Sequence, residues 1–573
     1  MGAHRTQRPG VASASIGQHH APLAPSPPRL PVRSMRFSVL TAVCDPPPDV
    51  LAACLDSVRS QMTDDVEHVI VDDASTSADV RDLLDAAARC EPRITLVRHD
   101  TRSGIVAASN SALDAATGEF VALLDHDDVL ADDALAVMNR AITASTDLAY
   151  SDHDLIRPDG RFADPVHKPD FSPERLRQQN YITHFVVARR ALVVEVGGFG
   201  VGFDGAQDHD LLLRLSERAR DIVHVPEVLY HWRMTAASVA LDPNAKQYAY
   251  ERGRLAVAEH CERIGIAAEV ELGRHLGTYR VKRAATRAST SVLIAASGGS
   301  ATVWGRHRPH LAALLDSLAD DRSMIDEIIV AVPAGDGSDG SDGTLDDRIS
   351  RVVTHAPDAS PFAVAARAAT GDVAIVLDEA MMLDAGSSLA ELLALLAGPD
   401  VAAVGSAQFH PDGCVRHGGL VVQGGTVASV LFGWHRDHSG PGRLMDVNRE
   451  VSAVDLVGSA WRMRELRELL DIATLDTATL DTATLGVRTC LEAAADGRRV
   501  LWTPFTAFTR CDRERDNEGV AHPSGNATAI ETPDHDRYYN PSLVPGRADW
   551  LELPGRAGAP PCTVDGDGRR HWS

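Results

Sequence analysis

Phe120-Val121-Ala122-Leu123-Leu124-Asp125-His126-Asp127-Asp128 is a short apolar run that ends in three carboxylates within four residues. The run reads as a strand, residues 120–124, with the acids just past its end. Carboxylates crowded in this way repel each other, and a site that tolerates them usually holds a hard cation. In an extended chain, positions two apart point the same way, so Asp125 and Asp127 can converge. A magnesium or manganese ion there would keep open positions for phosphate oxygens and neutralise a departing nucleoside diphosphate. The alternative reading is a solvated turn, or Asp127 and Asp128 capping the next helix.

Upstream the same alternation repeats. Strands are expected at residues 37–43, 68–71 and 94–98, and helices at 50–61, 80–89 and 105–116. Short apolar strands alternating with helices predict an α/β fold, a mostly parallel sheet flanked by helices. Such sheets bind ligands beyond the carboxyl ends of their strands. Asp72-Asp73-Ala74-Ser75 ends the second strand at that edge. A carboxylate there can accept an N–H of a nucleotide base, or the segment can cap a helix.

Downstream, Gln207-Asp208-His209-Asp210 opens the helical run Leu211-Leu212-Leu213-Arg214-Leu215. Helical spacing sets Asp208 in line with Leu211, Leu212 and Leu215, on the apolar face. Desolvation there raises a carboxyl pKa, which suits a general base. Asp210 falls in line with Arg214 and can pair with it on the rim; both acids also favour the positive helix N-terminus. After a strand at 222–225 comes Tyr230-His231-Trp232-Arg233. His231 is a candidate ligand of the metal or a phosphate, and Arg233 a candidate phosphate grip.

The second half echoes the first. Ala116-Thr117-Gly118, Asp125 and Pro158-Asp159-Gly160 recur as Ala369-Thr370-Gly371, Asp378 and Pro411-Asp412-Gly413, each 253 positions on. Three matches at one spacing predict a tandem duplication. At that offset Asp127 and Asp128 become Ala380 and Met381. Aligning Pro226 with Pro504 puts Asp208 on Gly486, Asp210 on Arg488 and His231 on Thr509. The second copy is therefore expected to lack catalysis. His417, His435 and His438 read as surface-loop histidines rather than a metal cluster.

The expected divisions are a disordered Pro- and Ser-rich extension at 1–34, a catalytic domain at 35–240 and a helical linker at 241–290. A degenerate domain at 291–512 and a polar tail at 513–573 follow. Met35 is the expected translation start. Residues 471–485 are a low-complexity repeat with no chemistry assigned.

The 573-residue chain is 44% hydrophobic and 24% charged, with a net charge of −24. That charge argues against a nucleic-acid partner, which needs a basic surface. Its eight cysteines are scattered with no Cys-x-x-Cys pair, so zinc-ribbon and redox motifs have no support. No run approaches the ~18 apolar residues that span a bilayer. Dispersed thiols and the missing signal sequence predict a cytoplasmic protein, with peripheral membrane attachment left open.

In order, Val71-Asp72-Asp73-Ala74-Ser75, Leu124-Asp125-His126-Asp127-Asp128, Gly197-Gly198-Phe199, Gln207-Asp208-His209-Asp210 and His231-Trp232 resemble the inverting family 2 glycosyltransferases with a GT-A fold. Gln179-Asn180-Tyr181-Ile182 resembles the branch that builds bacterial cell-surface polysaccharides, including rhamnosyltransferases. The resemblance covers residues 36 to about 240. It implies that Asp45, Asp73, Asp72 and Asp125 contact the nucleotide of a UDP- or dTDP-sugar. It implies Asp127, Asp125 and His231 as holders of magnesium or manganese, and Asp208 as the base. Asp128, Asp210 and Arg233 would support the site, and the acceptor would be a glycan or lipid-linked hydroxyl, at the cytoplasmic face of the inner membrane if the enzyme attaches there.

Three rivals remain. Gly200-x-Gly202-x-x-Gly205 after apolar residues 191–196 matches a dinucleotide phosphate loop, but the strand at 222–225 lacks the closing acid. A glycoside hydrolase also uses paired carboxylates, yet leaves Asp72-Asp73 unexplained. A non-catalytic scaffold, decayed in both halves, is opposed by the complete set in the first.

Overall fold

The structure is a computed structural model that describes residues 37–61, 63, 65–234, 247–284, 287–334, 346–476, 482–511, 533–543, 562–564 and 570–572. The extension 1–34 and the Met35 start lie outside the described residues, as do most of 513–573 and part of the 471–485 repeat.

The first sheet contains β1 (Phe37–Val43), β2 (Val66–Asp72), β3 (Ile94–Arg98), β4 (Phe120–Leu123), β5 (Val129–Leu130), β6 (Leu148–Ile156), β7 (Phe162–Val166), β8 (Val186–Arg189) and β9 (Ile222–Arg233). Their order is β3-β2-β1-β4-β8-β6-β9-β5, with β7 beside β6. β3, β2, β1 and β4 run parallel, as the alternation predicts. β8 is antiparallel to both neighbours, so the parallel pattern breaks there. Helices α1 (Pro48–Arg59), α2 (Ala78–Cys90) and α3 (Ile105–Ala115) link the parallel strands. Burial runs the whole length of β2 because helices cover both faces, which leaves no polar alternation to read.

Next come α4 (Ala134–Ala141), α5 (Pro173–Gln178), α6 (Arg190–Glu195) and α7 (Gln207–Ser216). Because residues 190–195 are helical, no strand leads into Gly200-x-Gly202-x-x-Gly205, and the dinucleotide reading loses its βαβ unit.

The segment read as a helical linker is only half helical. α8 (Gln247–Arg263) is followed by a hairpin of Ala268–Leu272 and Tyr279–Arg283. Val270 faces Val281 with both buried, while Glu269 faces Lys282 and Glu271 faces Arg280. The charged outer positions hid a period of two in the sequence.

The second sheet runs Arg351–His355, Glu327–Pro333, Thr290–Ala295, Val373–Asp378, Ser459–Arg462, Val401–Phe409, Arg499–Arg510, Met381–Leu383. This is the strand order of the first sheet, position for position. The repeated Thr-Gly also has a physical cause. Glu67 accepts from Ser38 Oγ at 2.6 Å and Thr117 N at 2.7 Å, and Gly118 N donates to Ser38 Oγ at 2.8 Å. Glu327 accepts from Ser291 Oγ at 2.6 Å and Thr370 Oγ1 at 3.0 Å, and Gly371 N donates to Ser291 Oγ at 3.0 Å. Each sheet thus closes its base with one carboxylate that satisfies turn amides.

The sheets meet at α5. Glu174 and Glu450 are buried together, bridged by Arg499 at 3.3 Å and 2.7 Å. Arg177 holds Glu174 at 2.8 Å, and Arg283 also donates to it. The described part of the tail wraps rather than dangles. Asn540 Nδ2 donates to Asp152 at 2.8 Å, and Asp536 accepts from Val422 N at 2.6 Å.

Candidate active site

The strand ends of the first sheet bring Asp125, after β4, to Asp128, before β5, and to His184, before β8. Ligand atoms of these three side chains lie within 4.8 Å of one another. Asp128 is buried, accepting from Tyr230 OH at 2.5 Å and Arg233 N at 2.7 Å. Burial pushes the Asp128 carboxyl well above its usual range, and the charges of Asp125 and Asp127 add to this. Burial pushes His184 down to about 4, so its imidazole is neutral and able to ligate. Two carboxylates and an imidazole form a donor set that fits a divalent cation of the manganese type. Tyr230 stacks on His184 at 4.5 Å and steadies both ends of the group. Tyr230→Phe leaves buried Asp128 short of a donor, and a loss of about 1–3 kcal/mol is expected, read from the urea midpoint.

Asp127, expected as the direct ligand, is outside this trio, and burial raises its carboxyl. His231 is outside it too. Tyr230 and Trp232 flank His231 on β9, so its side chain leaves the opposite face of the strand. There its Nδ1 meets Asp154 at 2.5 Å and its ring packs 4.3 Å from Phe162. Arg233 braces the acidic turn, donating from Nε to the Asp127 carbonyl at 2.8 Å.

The other three acids build the rim. Asp73 is buried and accepts from Ser103 N, Gly104 N and His99 Nδ1, each at 2.8 Å, which fixes the loop into α3. Asp45 accepts from Thr76 N and Ser77 N at 2.9 Å, and Asp72 from Ser75 N at 2.9 Å. Ser77, not an aspartate, caps α2. Asp45, Ala74 and Thr183 hold φ of +50°, +57° and +43°. Strain of this kind gathers at ligand sites.

Asp208 and Asp210 exchange their expected surroundings. α7 packs against α5, α6 and α8, so burial reaches round the helix. Asp210 is buried at 1% exposure and paired with Arg214 Nε at 3.1 Å. Asp208, in the first turn, is half-buried and accepts from Asn180 Nδ2 at 2.9 Å. It borders two spaces. A cavity of about 70 Å³ continues from it to Asp125 and His184. A cleft of about 730 Å³ opens on its other side, past Asn180, Trp232, Tyr250 and Tyr279. Sequence reasoning assigned no role to His184, Asn180 or Tyr279. His184 gave no local signal, because only the fold sets it opposite the acidic turn.

The sequence profile described as Glycosyl transferase family 2 matches residues 38–195. The chain carries a family 2 glycosyltransferase domain. An uncharacterized protein, y4gI of Sinorhizobium fredii, is 33% identical over 489 residues, covering 82% of this chain and 52% of that one. The O-antigen biosynthesis protein RfbC of Myxococcus xanthus is 35% identical over 395 residues, covering 67% of this chain and 30% of that one. The chain therefore spans about half or less of the length of these relatives. Among solved structures, S. aureus TarS 1-349 in complex with UDP-GlcNAc is 21% identical, with a TM-score of 0.32 over 39% of this chain and 66% of that one.

The matched residues 38–195 contain β1 to β8 of the first sheet together with its acidic edge. The same edge of the second sheet is plugged. Glu379 accepts from Ser297 N at 2.9 Å and Gly299 N at 3.0 Å, and Asp378 lies 3.4 Å from Arg510. In the helix that precedes Arg499–Arg510, a Cβ on Gly486 would meet the Val454 carbonyl oxygen at 2.7 Å. Contrary to the surface-loop reading, His417 is buried on a strand, and burial pushes it down to about 4. Among the described residues, the trio at Asp125 is the group able to hold a metal, and no helix is long and apolar enough to cross a membrane.

Proposed function

We propose that the first sheet transfers a sugar, with inversion, from a UDP- or dTDP-sugar to a hydroxyl of a glycan or lipid-linked acceptor of bacterial cell-surface polysaccharide. The observation that carries this is Asp208 at the junction of two spaces, one leading to the acidic cluster and one open to a second substrate. Asp208 takes the proton of the acceptor hydroxyl as that oxygen attacks the anomeric carbon from the cleft side. Asn180 occupies Asp208 Oδ2, which leaves Oδ1 for the proton and fixes the carboxylate plane. Attack from one face with departure toward the other is a single displacement, and it inverts the carbon. Asp125, His184 and Asp128 would hold magnesium or manganese, which supplies positive charge to the departing diphosphate. The second sheet is a degenerate copy without catalysis, and the enzyme works in the cytoplasm.

Calorimetric titration of the chain with UDP, dTDP and GDP, with and without manganese, tests the reading. One nucleotide is expected to bind in a metal-dependent manner, and Asp125→Asn is expected to abolish the metal dependence. Binding of none of them, with or without metal, would move the assignment to a non-catalytic scaffold.

A further inference from the structure

The 730 Å³ cleft is built by three parts of the chain. The segment after α5, the start of α7 and β9 give Asn180, Asp208 and Trp232, α8 and the hairpin give Tyr250, Arg274 and Tyr279, and the part of the chain around the second sheet gives Arg443. Arg443 sits after Gly442 with φ of +60°, and its guanidinium donates to the Leu276 carbonyl. Arg274 is exposed and donates to the Asp437 carbonyl at 3.3 Å. Among the described residues neither arginine has a carboxylate partner. By contrast Arg280 and Arg283, on the same hairpin as Arg274, are paired with glutamates.

In a chain of net charge −24, two guanidiniums without carboxylates, lining the same cleft as the base, ask for an anion. Trp232, Tyr250 and Tyr279 add flat apolar walls of the kind on which sugar rings stack. We infer that this cleft is a composite acceptor site in which Arg274 and Arg443 hold an anionic group on the acceptor glycan, a phosphate or a carboxylate. A guanidinium fork fits either oxyanion in bidentate fashion. The non-catalytic second unit then completes the active site, because Arg443 reaches the cleft only when the sheets are docked. The inference rests on Asp208 being the base.

The test is calorimetric titration of the full chain with manganese and saturating nucleotide, so that the donor side is filled. The probes are farnesyl diphosphate, methyl glucuronide and methyl glucoside. One anionic probe is expected to bind about tenfold more tightly than the neutral glucoside. Arg443→Gln and Arg274→Gln should each weaken it by about tenfold, with partial recovery in Arg443→Lys. Preference for the diphosphate points to a lipid-linked acceptor, and preference for the glucuronide to a uronate-bearing glycan. Arg274 is exposed, so its variant remains informative if Arg443→Gln fails to fold. Equal binding of the neutral glucoside, or unchanged anion binding in both variants, overturns the inference. Nucleotide binding without any anion binding overturns it alone, whereas absence of nucleotide binding removes the glycosyltransferase reading beneath it.

Discussion

Replacing Asp208 by asparagine is expected to lower kcat by about 10²–10⁴-fold, the usual contribution of a positioned general base. Asparagine keeps the size of the side chain, and its carbonyl oxygen can still accept from Asn180 Nδ2. What it loses is the capacity to take a proton. The proposed function puts the nucleotide on the Asp125 side, so titration with the nucleoside diphosphate and manganese should match the wild type. The neighbouring Asp210→Asn is the informative contrast. Asp210 is buried with Arg214, so that change should lower the thermal midpoint. Equal kcat in Asp208→Asn and the wild type would remove Asp208 from the mechanism.

Glu450→Ala is expected to cost about 3–5 kcal/mol, because it strips one member from a buried charge network. Glu450 is 2% exposed and takes a hydrogen bond from Arg499 at 2.7 Å and one from Ser172 Oγ. Without it, Arg499 is left between the sheets with less compensation, and the N-terminus of α5 loses its anchor at Glu174 N. α5 leads directly into Gln179 and Asn180, so kcat should fall together with the thermal midpoint. Glu468→Ala, in an exposed 3.7 Å pair with Arg464, should move neither. The network also sets a pH dependence. Burial opposes the charge of Glu174, but Arg177, Arg283 and Arg499 outweigh it and hold the carboxyl well below the usual range. A depressed carboxyl stabilises the fold above its unfolded pKa of about 4.3, and that stability is lost as the pH falls further. Wild type should therefore lose thermal stability more steeply below about pH 4.3 than Glu174→Gln does.

The strands and helices from Phe37 to Leu123 could be read from the chain because they are regular and local. Each apolar run has strand length, each helix has its period, and the acids mark the strand ends. The Thr-Gly shared by the two sheets was readable for the same reason, since it closes the base of each through a turn that local residue types specify. The hairpin at 268–283 was missed although its period of two is present, because charge dominates its composition. The site was only partly readable. Asp125 and Asp208 carry a local signature, whereas His184 and Arg443 carry none. His184 reaches Asp125 because β8 lies beside β4, and Arg443 reaches the cleft because α5 docks on the second sheet. Whether Asp208 or Asp210 is buried depends on α8 covering α7, which no amphipathic pattern within α7 encodes. His231 faced the wrong side for a similar reason: a motif orders residues along the chain, but the strand's pleat and its pairing determine which face each side chain takes.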